Sequence, residues 1–218
     1  MHEEDPLKDN IAFLILAWAK RLQAIAQTGL TYAKNQYDVE RYQSVGQIAS
    51  EMIAGCSTSI SSPRLVDIFG CEVGYATPKI DVRAAVFSQD KLLLVRERSD
   101  GAWTLPGGWA DVGDSPSSAA VREVKEESGY EVIARKLAAV YDRDHPRHGH
   151  PPMAYHVYKL FFMCELVGGA AKTGVETQEV AFFAEANLPI LSLPRVTAEQ
   201  IAHLLGHYRH PEWPTSFD

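Results

Sequence analysis

The segment from Gly107 to Tyr130 constrains this chain more than any other part of its sequence. Ser115 is a good helix N-cap, and Pro116 suits the first helical position, where its missing N–H costs nothing. Gly129 suits the left-handed residue that follows a helix. These signals predict a helix from Pro116 to Ser128, preceded by a loop that begins with a glycine pair.

One face of this predicted helix is acidic. Glu123, Glu126 and Glu127 are spaced so that their side chains are neighbours on the helix surface. Crowded carboxylates repel one another unless a cation lies among them, and Arg122 can neutralise only one. Such hard oxygen ligands favour Mg²⁺, with Mn²⁺ as a substitute, and the glycine pair lets backbone carbonyls approach the same ion. The alternative is a solvated helix face with ordinary ion pairs.

The spacing of these residues resembles the Nudix box. Gly108, Asp114 and the sequence Arg122-Glu123-Val124-Lys125-Glu126-Glu127-Ser128-Gly129-Tyr130 occupy its positions. The box has Glu where this chain has the shorter Asp114, and an aliphatic residue where it has Tyr130. Neither departure affects the arginine–glutamate core. The resemblance implies a Nudix hydrolase with an α/β/α sandwich and a mixed sheet.

The resemblance extends over nearly the whole chain, to a Nudix subgroup that hydrolyses nucleoside diphosphates linked to another moiety, such as ADP-ribose or CDP-choline. It implies a nucleoside monophosphate and a phosphorylated moiety as products, and a homodimer as the assembly. The segments that carry it are residues 22–30, 37–38, 41–42, 78–83, 105–111 and 158–162.

Apolar periodicity divides the chain. Three- and four-residue steps predict one helix over residues 7–28, ending at Gly29, and a second capped by Asp38 and ending near Gly55. A short third helix is expected from Pro63 to Phe69. We therefore expect a small N-terminal helical domain at residues 1–70, a linker at 71–78 and a catalytic domain at 79–218. The helical domain is expected to dimerise; a passive lid over the catalytic domain is the alternative.

The catalytic domain is expected to be α/β, because strand patterns lie on both sides of the motif helix and a helix capped by Thr197 closes it. The predicted strands are residues 79–87, 91–96, 103–106, 131–140, 154–166 and 180–183.

The site residues follow from the motif. Glu123 and Glu127 are the principal expected metal ligands, with Glu126 as a ligand or shared-water contact and Arg122 holding one carboxylate in place. The carbonyl of Gly107 or Gly108 is an additional expected ligand. For the general base, the sequence favours a carboxylate outside the helix, first Glu176 and then Glu179.

Substrate contacts are less constrained. Arg83 and Arg96 lie on strands leading to the motif and are expected to contact a phosphate, or else to form surface ion pairs. Trp109 is expected to stack on a base, or else to pack in the core. Pro146 matches a proline position of ADP-ribose-type Nudix enzymes. We expect its loop, with His148, to contact substrate rather than to bind zinc.

Composition narrows the partners. The net charge of −7 argues against a nucleic-acid surface, and the helical segment contains eight acids against six bases. No apolar run reaches 18 residues, and the apolar stretch 11–19 follows acidic residues, so we expect no membrane span and a cytoplasmic location. The three cysteines lack metal-binding spacing and are expected to be reduced thiols.

Three functions remain in competition, beside a pure dimerisation or scaffold module, which would show no metal-dependent turnover. The first is a Mg²⁺-dependent pyrophosphohydrolase acting on ADP-ribose or CDP-choline. The second is a hydrolase that cleanses the nucleotide pool. The third is a non-catalytic ligand sensor or regulator, and the intact Arg122-Glu123 and Glu126-Glu127 pairs count against it.

Overall fold

The structure, a computed structural model, describes residues 6–56, 69 and 72–218. Contacts group the chain into two units. The first contains residues up to 78 together with 152–156, and the second contains 79–151 and 157–218. Each unit has its own buried apolar cluster. No helix among the described residues has the length and apolar character needed to cross a bilayer.

Helices α1 (Pro6–Tyr32) and α2 (Gln36–Cys56) form the first unit. The predicted end of α1 at Gly29 is wrong, because the helix continues through this residue. A Cβ atom at Gly29 would lie only 2.3 Å from the ring of Tyr42, so the glycine permits close helix packing. Its role is therefore a close approach and not a helix stop.

The start of α2 also differs from its prediction. Asn35 caps the helix, since its Oδ1 accepts the backbone N–H of Asp38 at 2.9 Å, and its amide donates in return to the Asp38 carboxylate. The predicted third helix lies outside the described residues except for Phe69, which is buried in the core of this unit.

The second unit is built on a seven-stranded mixed sheet. Along the sheet β1 is antiparallel to β2 and parallel to β5, β4 is antiparallel to β5 and parallel to β7, and both β3 and β6 pair with β2. The strands are β1 (Lys79–Ser88), β2 (Lys91–Glu97), β3 (Trp103–Thr104), β4 (Tyr130–Asp142), β5 (Val157–Gly169), β6 (Thr177–Phe183) and β7 (Ser216–Phe217).

Helices cover both faces of this sheet. Alternate residues of β1 point to opposite faces, so that Val82, Ala84 and Val86 share a core with α3 (Pro116–Ser128). On the other face Ala85 shares a core with α4 (Ala198–Arg209), which begins with the predicted Thr197 cap. The expected α/β/α sandwich with an N-terminal helical unit is therefore confirmed. Strand β7 was not predicted.

Candidate active site

Helix α3 begins and ends at the predicted residues. The hydroxyl of Ser115 accepts the backbone N–H of Ser118 at 3.2 Å, and Gly129 adopts φ +74° while its N–H donates to the Lys125 carbonyl. The apolar side of the helix, including Val124, is buried against the sheet. Its acidic side is therefore left to line a cavity.

The glycine pair before α3 is held against β1 and against the helix. Gly107 has φ +146°, and a Cβ atom there would lie 2.0 Å from the Val82 carbonyl oxygen, so only glycine fits. Its N–H donates to Glu127 Oε2 at 2.9 Å. The carbonyl of Gly108 accepts the Val82 N–H at 2.8 Å, and a Cβ at Gly108 would lie 3.3 Å from Glu123 Oε2.

The three glutamates of α3 line one cavity of about 1060 Å³. Both glycines of the preceding loop contribute to its wall, and so do a tryptophan and the loop between β5 and β6. The lining residues are Arg83, Glu97, Gly107, Gly108, Trp109, Asp111, Arg122, Glu123, Lys125, Glu126, Glu127, Gly129, Ala170, Lys172, Thr173, Gly174, Val175, Glu176 and Arg195.

Arg122 is surrounded by acids. Its guanidinium lies 2.9 Å from Glu123, 3.0 Å from Glu126, 3.1 Å from Asp114 and 3.3 Å from Asp111. One arginine thus contacts and orients four carboxylates, but its single positive charge cannot neutralise all of them. The shorter Asp114 faces this arginine and is not among the lining residues of the cavity.

The carboxylates of the cavity lack sufficient positive charge. Burial is the main cause that raises the pKa of Glu127 to about 8, and Glu123 and Glu97 add to it, while Arg83 and the Gly107 N–H act against it. Burial also raises the pKa of Glu123, although Arg122 opposes that shift. Without a cation, these carboxylates are not all ionised near neutral pH. Hard oxygen donors grouped in this way fit a divalent cation such as Mg²⁺ or Mn²⁺, which would favour their ionised forms.

A second charged cluster is buried in the same unit. The β1–β5 register sets Asp81 opposite Lys159, and the two side chains meet at 3.1 Å. Arg83, on the same face of β1, binds Asp81 with two hydrogen bonds of 2.8 and 2.9 Å. Burial alone would raise the pKa of Asp81, but the two cations outweigh it and hold that pKa at about 2. Burial lowers the pKa of Lys159 to about 8.

The structure brings some of the predicted site residues to the cavity and leaves others away from it. Trp109 and Glu176 line the cavity, whereas Arg96 does not and instead pairs with Glu179 at 2.6 Å. Arg83 also lines the cavity, and its ion pair with Asp81 is buried and not on the surface.

The predicted substrate loop lies elsewhere. Pro146 and His148 form a short 3₁₀ turn and are absent from the described lining of the carboxylate cavity. His145, His148 and Asp218 do place three potential ligand atoms within 4.8 Å of one another. However, His148 Nε2 lies 3.0 Å from Asp218, which also pairs with Arg147. The carboxylate is thus already satisfied, because a ring N–H and a guanidinium both donate to it.

Sequence reasoning missed several residues of the cavity, among them Glu97 and Arg195. Glu97 is buried at the end of β2, and burial raises its pKa. Arg195 lies 3.3 Å from Glu97 and 3.0 Å from Asp100. No local motif marks either residue, since their contact joins positions 98 residues apart in the sequence.

Two known domain families match the chain, one in the region of each unit. Residues 14–62 match Nudix_N, described as a UDP-X-like N-terminal oligomerisation domain, and residues 77–204 match the NUDIX domain. The two matches follow the same order along the chain as the helical unit and the sandwich.

Individual relatives agree. The chain is 45% identical over 92% of its length to 95% of YjhB from Bacillus subtilis, whose designation as an ADP-ribose pyrophosphatase is provisional. A crystal structure of an ADP-ribose pyrophosphatase from Streptococcus suis is 44% identical, with a TM-score of 0.60 over 65% of this chain and all of that one. A crystal structure of a UDP-X diphosphatase is 32% identical, with a TM-score of 0.60 over 95% of this chain and 99% of the other. The NUDIX match over more than half of its length and the 45% identity to YjhB show that this chain belongs to the Nudix hydrolase family.

Proposed function

We propose that this Nudix hydrolase is a Mg²⁺-dependent pyrophosphohydrolase that cleaves ADP-ribose to AMP and ribose 5-phosphate. In this proposal residues 79–218 are the catalytic domain, residues 71–78 a linker, and residues 1–70 a dimerisation domain. The main support for ADP-ribose as the substrate is the 45% identity to YjhB, which extends over both parts of the chain. An ADP-ribose pyrophosphatase of Methanocaldococcus jannaschii, 34% identical over 54% of this chain, adds support.

Glu123, Glu126 and Glu127 would hold the cation, together with the carbonyl of Gly107. The Gly108 carbonyl is a poorer candidate, because it already accepts the Val82 N–H. A bound divalent cation would neutralise phosphate charge and activate water for attack. Arg122 would keep the carboxylates oriented through its contacts with Glu123 and Glu126.

Glu176 is the proposed general base. It is exposed at the cavity wall, and among the described residues its carboxylate has no hydrogen-bond partner, so it can accept a proton from water. The oxygen of that water would form a bond to phosphorus as the bridging P–O bond breaks, and the leaving phosphate would take the electron pair. Glu179 is a weaker candidate, because Arg96 occupies it. Trp109, which is 43% exposed and lines the cavity, would stack on the adenine.

A substrate screen tests the proposal. Purified protein would be assayed with Mg²⁺ against ADP-ribose, CDP-choline, UDP-glucose and 8-oxo-dGTP, each with EDTA as a control. We expect the highest kcat/KM for ADP-ribose and no turnover in EDTA. UDP-glucose as the best substrate would instead support the UDP-X relation, which the structure neighbour of nearly full length favours. Turnover of none of the four would favour a ligand sensor.

Glu127→Gln tests the site within that screen. Removing a residue that only supports a metal ligand lowers metal affinity or activity by about 10–100-fold. Loss of a ligand itself is therefore expected to lower kcat/KM by at least about a hundredfold. Glu165→Gln is the matched control, since this carboxylate pairs with Arg135 on an exposed strand surface. Equal activity of the Glu127 variant and the control would refute the site assignment.

The homodimer rests on the first unit. Ile11, Leu14, Trp18 and Ile25 recur at helical spacing on α1 and are 46–56% exposed, an apolar stripe that suits a partner copy. The Nudix_N match supports the same role. Light scattering should give a dimer for the parent and a monomer for the double variant Trp18→Asp, Ile25→Asp. Ile190→Asp, at an exposed site of the second unit, should remain dimeric, and a monomeric parent would refute the assembly.

A further inference from the structure

The cations that line the carboxylate cavity differ in whether their charge is already used. Arg83 binds Asp81, and Arg122 binds the acids around it. Lys125 lines the cavity, and its ammonium lies 2.7 Å from Glu131, a carboxylate that does not line it. Arg195, as described above, is held by two acids. Four of the five lining cations therefore serve carboxylates of the protein itself.

Lys172 is the exception. Its ammonium has no ion-pair or hydrogen-bond partner within the part of the chain that the structure describes, although it lines the same cavity. Six acidic residues line the same cavity, and none of them forms an ion pair with the Lys172 ammonium. Its charge is available to a ligand.

The backbone around Lys172 is fixed even though its side chain is exposed. The N–H of Lys172 donates to the Ser128 carbonyl at 2.9 Å, and a Cβ atom at Gly129 would lie 2.7 Å from the Lys172 Cβ. Five residues along, the Thr177 hydroxyl donates to the Glu127 carbonyl at 2.8 Å. Both ends of this loop are thus tied to the last turn of α3, the helix that carries the three glutamates.

We propose that Lys172 binds a phosphate oxygen of the substrate diphosphate and is a substrate-affinity residue of this enzyme. The inference rests on the proposed function, since it requires a diphosphate ligand in the cavity. The charge of a divalent cation at the glutamates is already shared with those carboxylates, so part of the negative charge of a bound diphosphate remains uncompensated. A compact ammonium on a flexible stem, rooted in a fixed loop, supplies the remaining contact.

The test compares Lys172→Met, Lys172→Arg and the matched control Lys91→Met, an exposed lysine outside the cavity lining. Calorimetry with Mg²⁺ would measure the affinity for the α,β-methylene analogue of ADP-ribose, which cannot be cleaved at the bridge. We expect about a tenfold or greater loss for Lys172→Met, since a hydrogen bond to a charged group is removed, with most of the affinity kept by Lys172→Arg. Steady-state rates should show a raised KM with a smaller change in kcat.

The outcomes separate the two proposals. If Lys172→Met binds the analogue as tightly as the parent and Lys91→Met, the Lys172 inference is overturned while the proposed function stands. If the parent fails to bind or cleave ADP-ribose, the proposed function falls. Mg²⁺-pyrophosphate then serves as the probe for Lys172, with the same variants and the same expected loss. A parent that binds neither probe overturns both.

Discussion

Two clusters of charged side chains in the second unit balance their charge in different ways. Asp81, Arg83 and Lys159 form a buried cluster in which two cations close on one carboxylate through short contacts. The cavity cluster has three glutamates of α3 and one arginine that it shares with two further acids. In the first cluster the carboxylate is fully paired within the protein, and the cations exceed it by one. The second leaves negative charge uncompensated, and this difference indicates where a cation belongs.

Arg83 connects the two clusters. It is held by Asp81, yet its positive charge also lowers the pKa of Glu127, which burial otherwise raises. The buried cluster carries one cation more than it needs, and that excess acts on the cavity glutamates. The buried cluster therefore both stabilises the sheet and supports the site.

The largest stability effect should come from breaking the buried cluster. Asp81→Asn leaves two buried cations without their carboxylate, and removing one partner of a buried ion pair costs about 3–5 kcal/mol. Urea denaturation should show this loss in the free energy of unfolding. Adding Lys159→Met to the variant should recover part of it, since one uncompensated charge is removed. A wild-type unfolding midpoint for Asp81→Asn would contradict this view of the cluster.

An intermediate effect should appear in the pH dependence of the cation-free protein. The pKa of Glu127 is raised from 4.5 to about 8, so between these values the folded state binds a proton that the unfolded state has lost. The free energy of unfolding should therefore fall as pH rises through this window. His150, whose pKa burial lowers from 6.5 to about 4, titrates below pH 6.5, and Lys159, whose pKa burial lowers from 10.5 to about 8, begins to titrate at the upper end of the window. Both groups are also present in a Glu127 variant, so a comparison of parent and variant over pH 6.5–8 isolates Glu127.

Glu127→Gln should remove this component. Over pH 6.5–8 the parent is expected to lose roughly 2 kcal/mol more than the variant in EDTA, from about 1.4 kcal/mol per pH unit. Saturating Mg²⁺ should stabilise the parent more at pH 8 than at pH 6.5. Parallel stability–pH curves for parent and variant would show that Glu127 ionises normally and that the cavity does not need a cation.

The smallest effect should come from an ion pair that belongs to neither cluster. Arg96 and Glu179 meet at 2.6 Å on the surface, where solvent screens their attraction. Arg96→Ala should change the free energy of unfolding by about 0.2–1 kcal/mol and should leave KM unchanged, because Arg96 does not line the cavity. A large increase in KM would show instead that Arg96 contacts a substrate phosphate.

Local signals in the sequence predicted the cavity cluster. The buried cluster could not be predicted, because it depends on pairing between strands that are distant in the sequence. Ser115, Pro116 and Gly129 set the ends of α3, so the positions of its glutamates on one face followed from helix geometry. Asp81 and Lys159 meet only because β1 and β5 are parallel in one register, which no local pattern in either strand specifies.

The same limit applies to Gly29 and to the two strand arginines. Gly29 resembled a helix stop, but its function depends on Tyr42 in the next helix. Arg83 and Arg96 both lie on strands near the motif, and the sequence alone does not distinguish their environments. The structure does so through their partners, Asp81 in the interior and Glu179 at the surface.

Anomalous diffraction from a crystal soaked in Mn²⁺ tests the central claim most directly. The uncompensated glutamates predict a manganese peak bounded by the Glu123 and Glu127 carboxylates and the Gly107 carbonyl, and loss of that peak in Glu127→Gln. A peak at His145, His148 and Asp218 with none at the glutamates would contradict the account.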